Sequence, residues 1–337
     1  MNNSTCLQPS PATTVALPII YSCLLPAGIF GNILLACIFC WKAPTRRTLH
    51  IYLASLVTAN LLVCSTMPFL AAYFVNGHHW PYESAACRVT HHLGTLMMHV
   101  SMYVTITILC SIALSQYAML KNSGTQPSPE LPGSFQGCLL HKFRQPKFAK
   151  YLCAVIWLSV FCVTVIIVTY KVQEDVSGQF PTCYNTRVEV GERPAMIAGS
   201  LATMCFFLSF VTVLWSHYSL TRHLSKVQKN TCIGEKHLIY RTVKRNILVI
   251  QMILTVCFLP YHIFRPIFYV MLTENDCLRL NYLVEIKNFL TCLAAAKSSL
   301  DPLIILLLDK TFKKSLYGLF TKSTPEHQKR NNDIFIE

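Results

Sequence analysis

Residues 51–74 read IYLASLVTANLLVCSTMPFLAAYF, a run with no charged side chain. At 1.5 Å of rise per residue such a helix reaches about 36 Å, enough to cross a hydrocarbon core about 30 Å thick. Short polar stretches bound it on both sides, KAPTRRTLH at 42–50 and NGHHWPYES at 76–84. A span between short polar loops is the pattern of a membrane crossing rather than of a buried helix in a soluble core.

The same pattern recurs along the chain. Seven windows qualify, at 15–41, 50–75, 93–119, 151–170, 195–219, 247–272 and 283–308. The composition agrees, with 53% hydrophobic and 13% charged residues, the latter about half the fraction of an ordinary soluble domain. The expected fold is an all-α membrane protein, a bundle of seven transmembrane helices over residues 15–308, with no room for a separate soluble domain. A tail at 1–14 precedes it. The segment DKTFKKSLYGLF at 309–320 follows, with Phe312, Leu316, Leu319 and Phe320 on one face and Lys between them. That spacing predicts a short amphipathic helix on the membrane surface, and residues 321–337 form a tail. No cysteine follows Cys292, so a palmitoyl anchor on this helix is excluded.

The net charge of +14 would suggest nucleic acid in a soluble protein, but its placement matters more here. The loops at 42–47, 121–150 and 222–245 and the tail from 310 hold 21 of the 29 Lys and Arg. Basic loops stay in the cytoplasm. The amino terminus is therefore expected outside and the carboxyl terminus inside a plasma-membrane protein, with membrane lipids and no nucleic acid as partners. Asn2 and Asn3 begin overlapping glycosylation sequons, NNS and NST, which suit an extracellular tail. The first 14 residues lack Lys and Arg and do not read as a cleavable signal, so the first span is expected to act as the targeting signal. The stretch KNSGTQPSPELPGSFQG at 121–137 buries too little apolar surface to order itself and reads as a flexible cytoplasmic insertion.

Most of the sixteen cysteines lie in spans, as Cys37, Cys64, Cys110, Cys162 and Cys205 do, where a thiol serves as a small apolar filler. Cys6, Cys87, Cys183 and Cys277 fall in expected extracellular segments, which permits two disulfides in any of three pairings.

An ionisable group at bilayer depth costs about 2.5–3.5 kcal/mol on insertion scales, so each one asks for a reason. Asp301 is the one carboxylate well inside a span; Arg265, Lys297, His99 and His262 supply the basic side, with Lys287 near the outer edge. Pumps and transporters of cations use several buried carboxylates, and no nucleophile–base pair or metal cluster suggests an enzyme. His91, His92 and His99 lack a carboxylate at ligand spacing, so no metal and no cofactor is expected. The third span holds no Asp or Glu, which disfavours amine ligands. His262 and Arg265 share a helix face just beyond Pro260, where the missing N–H permits a kink. With Lys287 they offer a site for an anionic small molecule or lipid, since Arg gives a bidentate fork and Lys a mobile charge. The competing reading has Arg265 and Lys287 reaching headgroups or pairing with Glu274, Asp276 or Glu285.

Five motifs in order carry a resemblance. GN at 31–32, LHIYLASLVTANLL at 49–62, Trp157, CFLPYH at 257–262 and LDPLI at 300–304 resemble those of the rhodopsin-like (class A) G protein-coupled receptors, along nearly the whole chain. CFLPYHIFR with Lys287 and Cys277 is similar to the purinergic, nucleotide-receptor-like branch. The resemblance implies a heterotrimeric G protein as partner, His262, Arg265 and Lys287 in a pocket for nucleotides or lysophospholipids, and bridges Cys87–Cys183 and Cys6–Cys277. It implies coupling and activation roles for Ser115, Gln116, Tyr117, Pro260, Asp301 and Pro302. Lys297 invites a retinal Schiff base, but opsins carry that lysine two positions earlier, about 200° round the helix.

Departures from the family pattern bear on function. Ser115, Gln116 and Tyr117 stand where an acidic–Arg–Tyr triplet is usual, Ile305 replaces the last motif's tyrosine, and the fifth span lacks its proline. Asn60 replaces the usual aspartate of the second span, which leaves Asp301 alone among the sodium-site equivalents and weakens the expectation of bound sodium. The sequence supports a receptor that senses an anionic small ligand and signals to a G protein. The alternative is a non-signalling binding or scaffolding protein of the same fold, favoured by the lost arginine.

Overall fold

A computed structural model describes residues 7–42, 48–76, 85–123, 141–175, 189–190, 193–230, 234–272 and 276–308. Among these residues seven long helical bodies follow one another. Helix α1 opens with a π-helical turn, Ala12–Ala16, and continues as Leu17–Lys42; α2 is Thr48–Asn76, α3 Ala85–Ser123, α4 Pro146–Asp175 and α5 Arg193–Asn230. Helix α6 runs as Gly234–Ile253, a π-helical turn Leu254–Phe258 and Leu259–Met271, and α7 is Cys277–Leu308. Six of the seven expected windows lie within these helices, and the sixth in order, 247–272, ends one residue past Met271. The amphipathic segment 309–320 lies outside the described residues, as do Asn2, Asn3, Cys6 and Cys183.

Among the described residues, five helical stretches are long and apolar enough to cross a membrane by length and composition alone, in α1, α2, α3, α5 and α6. Helix α7 carries Lys297 and Asp301 in its second half. The exposed side chains around the bundle are large and apolar, among them Phe30, Leu158, Phe161, Leu208, Val270 and Leu303. The buried set includes Asn32, Asn60, Ser101, Thr105, Lys297 and Asp301. Apolar groups outward and polar groups inward is the arrangement a hydrocarbon solvent favours.

Helix α1 starts earlier than the apolar window suggests. Ser10 Oγ accepts hydrogen bonds from the backbone N–H groups of Ala12 (3.2 Å) and Thr13 (3.4 Å), and Pro11 fills the first helical position, where no N–H is needed. Leu7 is buried beside Leu17 and Tyr21, in a cluster that also takes in Tyr73, Phe268 and Val284. The end of the tail at 1–14 is thus part of the bundle.

Helix α3 is central and touches α2, α4, α5, α6 and α7, while α1 packs on α2 and α7. Lipid is as apolar as leucine, so helices associate here through close packing and interhelical hydrogen bonds. Glycine permits the closest approach. A Cβ at Gly31 would lie 2.7 Å from Pro302 Cγ, and one at Gly28 2.8 Å from Ser299 Oγ. Trp157 Nε1 donates to Ser55 Oγ at 2.9 Å, which ties α4 to α2.

Candidate functional site

Past its π-helical turn, α6 turns a ladder of ring and cationic side chains inward. His262 is fully buried. Its Nδ1 lies 2.8 Å from the Phe258 carbonyl, an acceptor, so Nδ1 carries the proton and Nε2 holds a bare lone pair. Nε2 is buried without a hydrogen-bond partner. The imidazole stacks on Phe206 of α5, centroids 3.9 Å apart and planes 12° from parallel, and meets Tyr103 edge-on.

One helical turn further, Arg265 sits among phenols. Its Nε donates to Tyr269 Oη at 2.9 Å and its Nη1 to Tyr103 Oη at 2.8 Å. The guanidinium carbon lies 5.6 Å from the Tyr261 ring centroid and 5.9 Å from that of Tyr269, within cation–π range. His99 Nε2 is 3.1 Å from Tyr261 Oη. Helix α5 makes the space with a glycine, since a Cβ at Gly199 would lie 2.6 Å from Arg265 Cζ. A guanidinium has five N–H donors. Two are taken here by phenols, and among the described residues no carboxylate touches the group.

Lys287 is placed differently. Its ammonium donates to the backbone carbonyl of Glu189 and to Glu189 Oε2, each at 2.6 Å. Glu189 Oε1 accepts from Tyr73 Oη at 2.6 Å, and the carboxylate is buried. Of the carboxylates the sequence offered as partners, Asp276 caps the start of α7 through Leu278 N at 3.0 Å, and Glu285 accepts from Thr13 Oγ1 at 3.3 Å. Glu274 lies outside the described residues, and the carboxylate that meets Lys287, Glu189, stands outside every apolar window. His262 and Arg265 thus come together with the tyrosines, while Lys287 is neutralised by Glu189.

Asp301 pairs directly with Lys297 on the same helix, four residues earlier, and both side chains are 2% exposed. Asn60 Nδ2 donates to Asp301 Oδ2 at 2.9 Å and to Asn32 Oδ1 at 3.1 Å. Asn60 Oδ1 accepts from Lys297 Nζ at 3.2 Å. Asn32 Nδ2 donates to the carbonyls of Gly28 and Ser298, each at 2.9 Å. A resident sodium ion does not fit here, because the ammonium already stands against the carboxylate.

Gln116 near the other end of α3 is buried, and its Oε1 has no partner. Tyr117 meets Trp215 edge-on with centroids 5.3 Å apart. Ser115 is half-buried. Pro260 stands second in the last segment of α6, and Pro302 lies inside α7 against Gly31. Cys277 is disulfide-bonded, to a partner outside the described residues; the side chain of Cys87 lies outside them too.

The family model described as 7 transmembrane receptor (rhodopsin family) matches residues 31–126 and 136–305. The chain belongs to the rhodopsin family of seven-transmembrane receptors. The receptor is 52% identical over 329 residues to "Probable G-protein coupled receptor 82" of Homo sapiens, covering 97% of this chain and 98% of that one. Against the Mus musculus protein of the same name it is 52% identical over 327 residues, 96% and 99% of the two chains. It is 26% identical over 322 residues to "Probable G-protein coupled receptor 34" of Pan troglodytes, 94% and 79% of the two chains. It belongs to a family of multi-pass plasma-membrane receptors that couple to G proteins, and it is not an enzyme.

Sequence reasoning missed Tyr103, Tyr269 and Gly199 around Arg265, Glu189 at Lys287, and the bond between Lys297 and Asp301. Two of these had a signal. Arg265 and Tyr269, and Lys297 and Asp301, stand four residues apart on one helix, the spacing at which side chains meet.

Proposed function

We propose that this receptor senses an anionic small molecule, a nucleotide or a lysophospholipid, through Arg265 with His262 beside it, and passes the signal to a heterotrimeric G protein. The observation that carries the reading is the charge of Arg265 inside the bundle, held by phenols and matched by no carboxylate among the described residues. Arg265 is partly buried, and a charge withdrawn from water is costly unless a counter-ion completes it; a phosphate or carboxylate supplies both the charge and acceptors for the remaining N–H groups. Lys287 joins the site only by exchanging Glu189 for the ligand.

The amino terminus is extracellular in this reading, on the placement of basic residues. The disulfide at Cys277 supports a bridge to Cys6, with Cys87–Cys183 as the second, and Asn2 or Asn3 carries glycan.

The test is cyclic AMP and calcium signalling in transfected cells challenged with a panel of nucleotides and lysophospholipids. A response present in the natural chain and lost in Arg265→Ala at equal surface expression is the expected result. A response unchanged in Arg265→Ala overturns the anion site.

Gln116 favours a second reading, a binding protein of this fold without signalling. A glutamine carries no charge for the inner face, and its Oε1 is buried without a partner. Silence of the natural chain, with signalling restored in Gln116→Arg, supports that reading; equal signalling by both rejects it.

A further inference from the structure

Asp301 is a carboxylate with 2% of its side chain exposed within a membrane-spanning helix. Such a group needs a cation, either dissolved or attached. The oxygens gathered around the Lys297 ammonium are those that hold a small hard cation, a carboxylate and an amide carbonyl. Asp301 Oδ2 takes the ammonium directly and Asn60 Oδ1 takes it at 3.2 Å. The second layer fixes these ligands. Asn60 spends its two N–H donors on Asp301 and Asn32, and Asn32 spends its own on backbone carbonyls of α1 and α7. The amide orientations follow from this chain of donors, and three helices meet in it.

We infer that Asp301, Asn60 and Asn32 form a cation site whose occupant is the receptor's own Lys297 ammonium, so that the natural chain neither needs nor binds sodium there, and loss of Lys297 turns the site into one for sodium. The tether keeps the cation from leaving, so α7 stays joined to α2, and through Asn32 to α1, whatever the salt around it. Truncating Lys297 to alanine removes the charge and opens the space of its stem, leaving a buried carboxylate and amide oxygens that only a small cation or a proton can neutralise. Lys297→Met removes the charge but fills the same space.

The test uses the full chain purified into lipid nanodiscs, with thermal unfolding followed in sodium chloride and in choline chloride at equal ionic strength. The natural chain is expected to unfold at the same temperature in both salts. Lys297→Ala is expected to gain about 2 °C or more in sodium, and Lys297→Met is expected to show no sodium-specific gain. A sodium-specific gain in the natural chain, its absence from Lys297→Ala, or an equal gain in Lys297→Met overturns the inference. Should Lys297→Ala fail to fold in either salt, recovery in Lys297→Ala/Asp301→Asn, which removes both charges, supports the inference. Failure of that double variant overturns it, because the stem rather than the charge is then what matters.

Discussion

The ammonium of Lys287 is bound twice by one residue, at 2.6 Å by the side chain of Glu189 and at 2.6 Å by its backbone carbonyl. Glu189 stands just before α5 and Lys287 lies in α7, so this pair closes the bundle at one end. Tyr73 of α2 completes it.

Truncating Glu189 leaves Lys287 with the backbone carbonyl but no carboxylate, and removes the Oε1 that accepts from Tyr73 Oη. Glu189→Ala is expected to destabilise the receptor by about 1–3 kcal/mol, below the cost of breaking a fully buried pair because the ammonium is partly exposed. Thermal unfolding of Glu189→Ala, Lys287→Met and the double variant checks it. The double variant should recover part of the loss, since no charge is then stranded.

The guanidinium of Arg265 occupies space that Gly199 leaves. Gly199→Ala places a methyl group 2.6 Å from the position of Arg265 Cζ, too close for a Cβ contact, so the guanidinium must shift from its place between Tyr103 and Tyr269. Potency of an anionic agonist is expected to fall about tenfold or more, the equivalent of one charged hydrogen bond. Dose–response curves at matched surface expression measure it, with Gly199→Ala resembling Tyr103→Phe.

Gly31 faces the ring of Pro302, a rigid neighbour. Gly31→Ala forces α1 away from α7 and is expected to cost about 1–3 kcal/mol by overpacking. Reduced surface delivery and a lowered unfolding temperature are the readouts, and Gly94→Ala serves as the control, because a Cβ there meets Leu70 at an ordinary 3.5 Å.

Gln116 buries an amide oxygen with no donor. Gln116→Met, close to it in volume, is expected to stabilise the receptor by about 1 kcal/mol by removing an unsatisfied acceptor, seen as a raised unfolding temperature.

The spans were legible because lipid imposes length and apolarity on every crossing, and the basic loops stand out against them. Arg265 and His262 were legible because charge at that depth is costly and they stand three apart. Tyr103 and Gly199 were not, since they lie on other helices and look like ordinary span residues; what brings them to Arg265 is the packing of α3, α5 and α6. Glu189 escaped notice in a polar segment, where a carboxylate has no cost to reveal it. Lys297 drew attention as a stranded charge, yet its partner stood four residues away on the same helix.

The π-helical turn at Leu254–Phe258 fits one more residue into α6 than an unbroken α-helix would hold over the same rise. Each residue of an α-helix advances about 100°, and the wider turn absorbs that step, so deleting one of these five leaves an unbroken α-helix with the segment after Phe258 facing as before. Arg265 would still face Tyr103, whereas a deletion in the regular helix between Phe258 and Arg265 would turn it toward the acyl chains. An ungapped alignment with a receptor that lacks this turn would match inward positions of one with outward positions of the other.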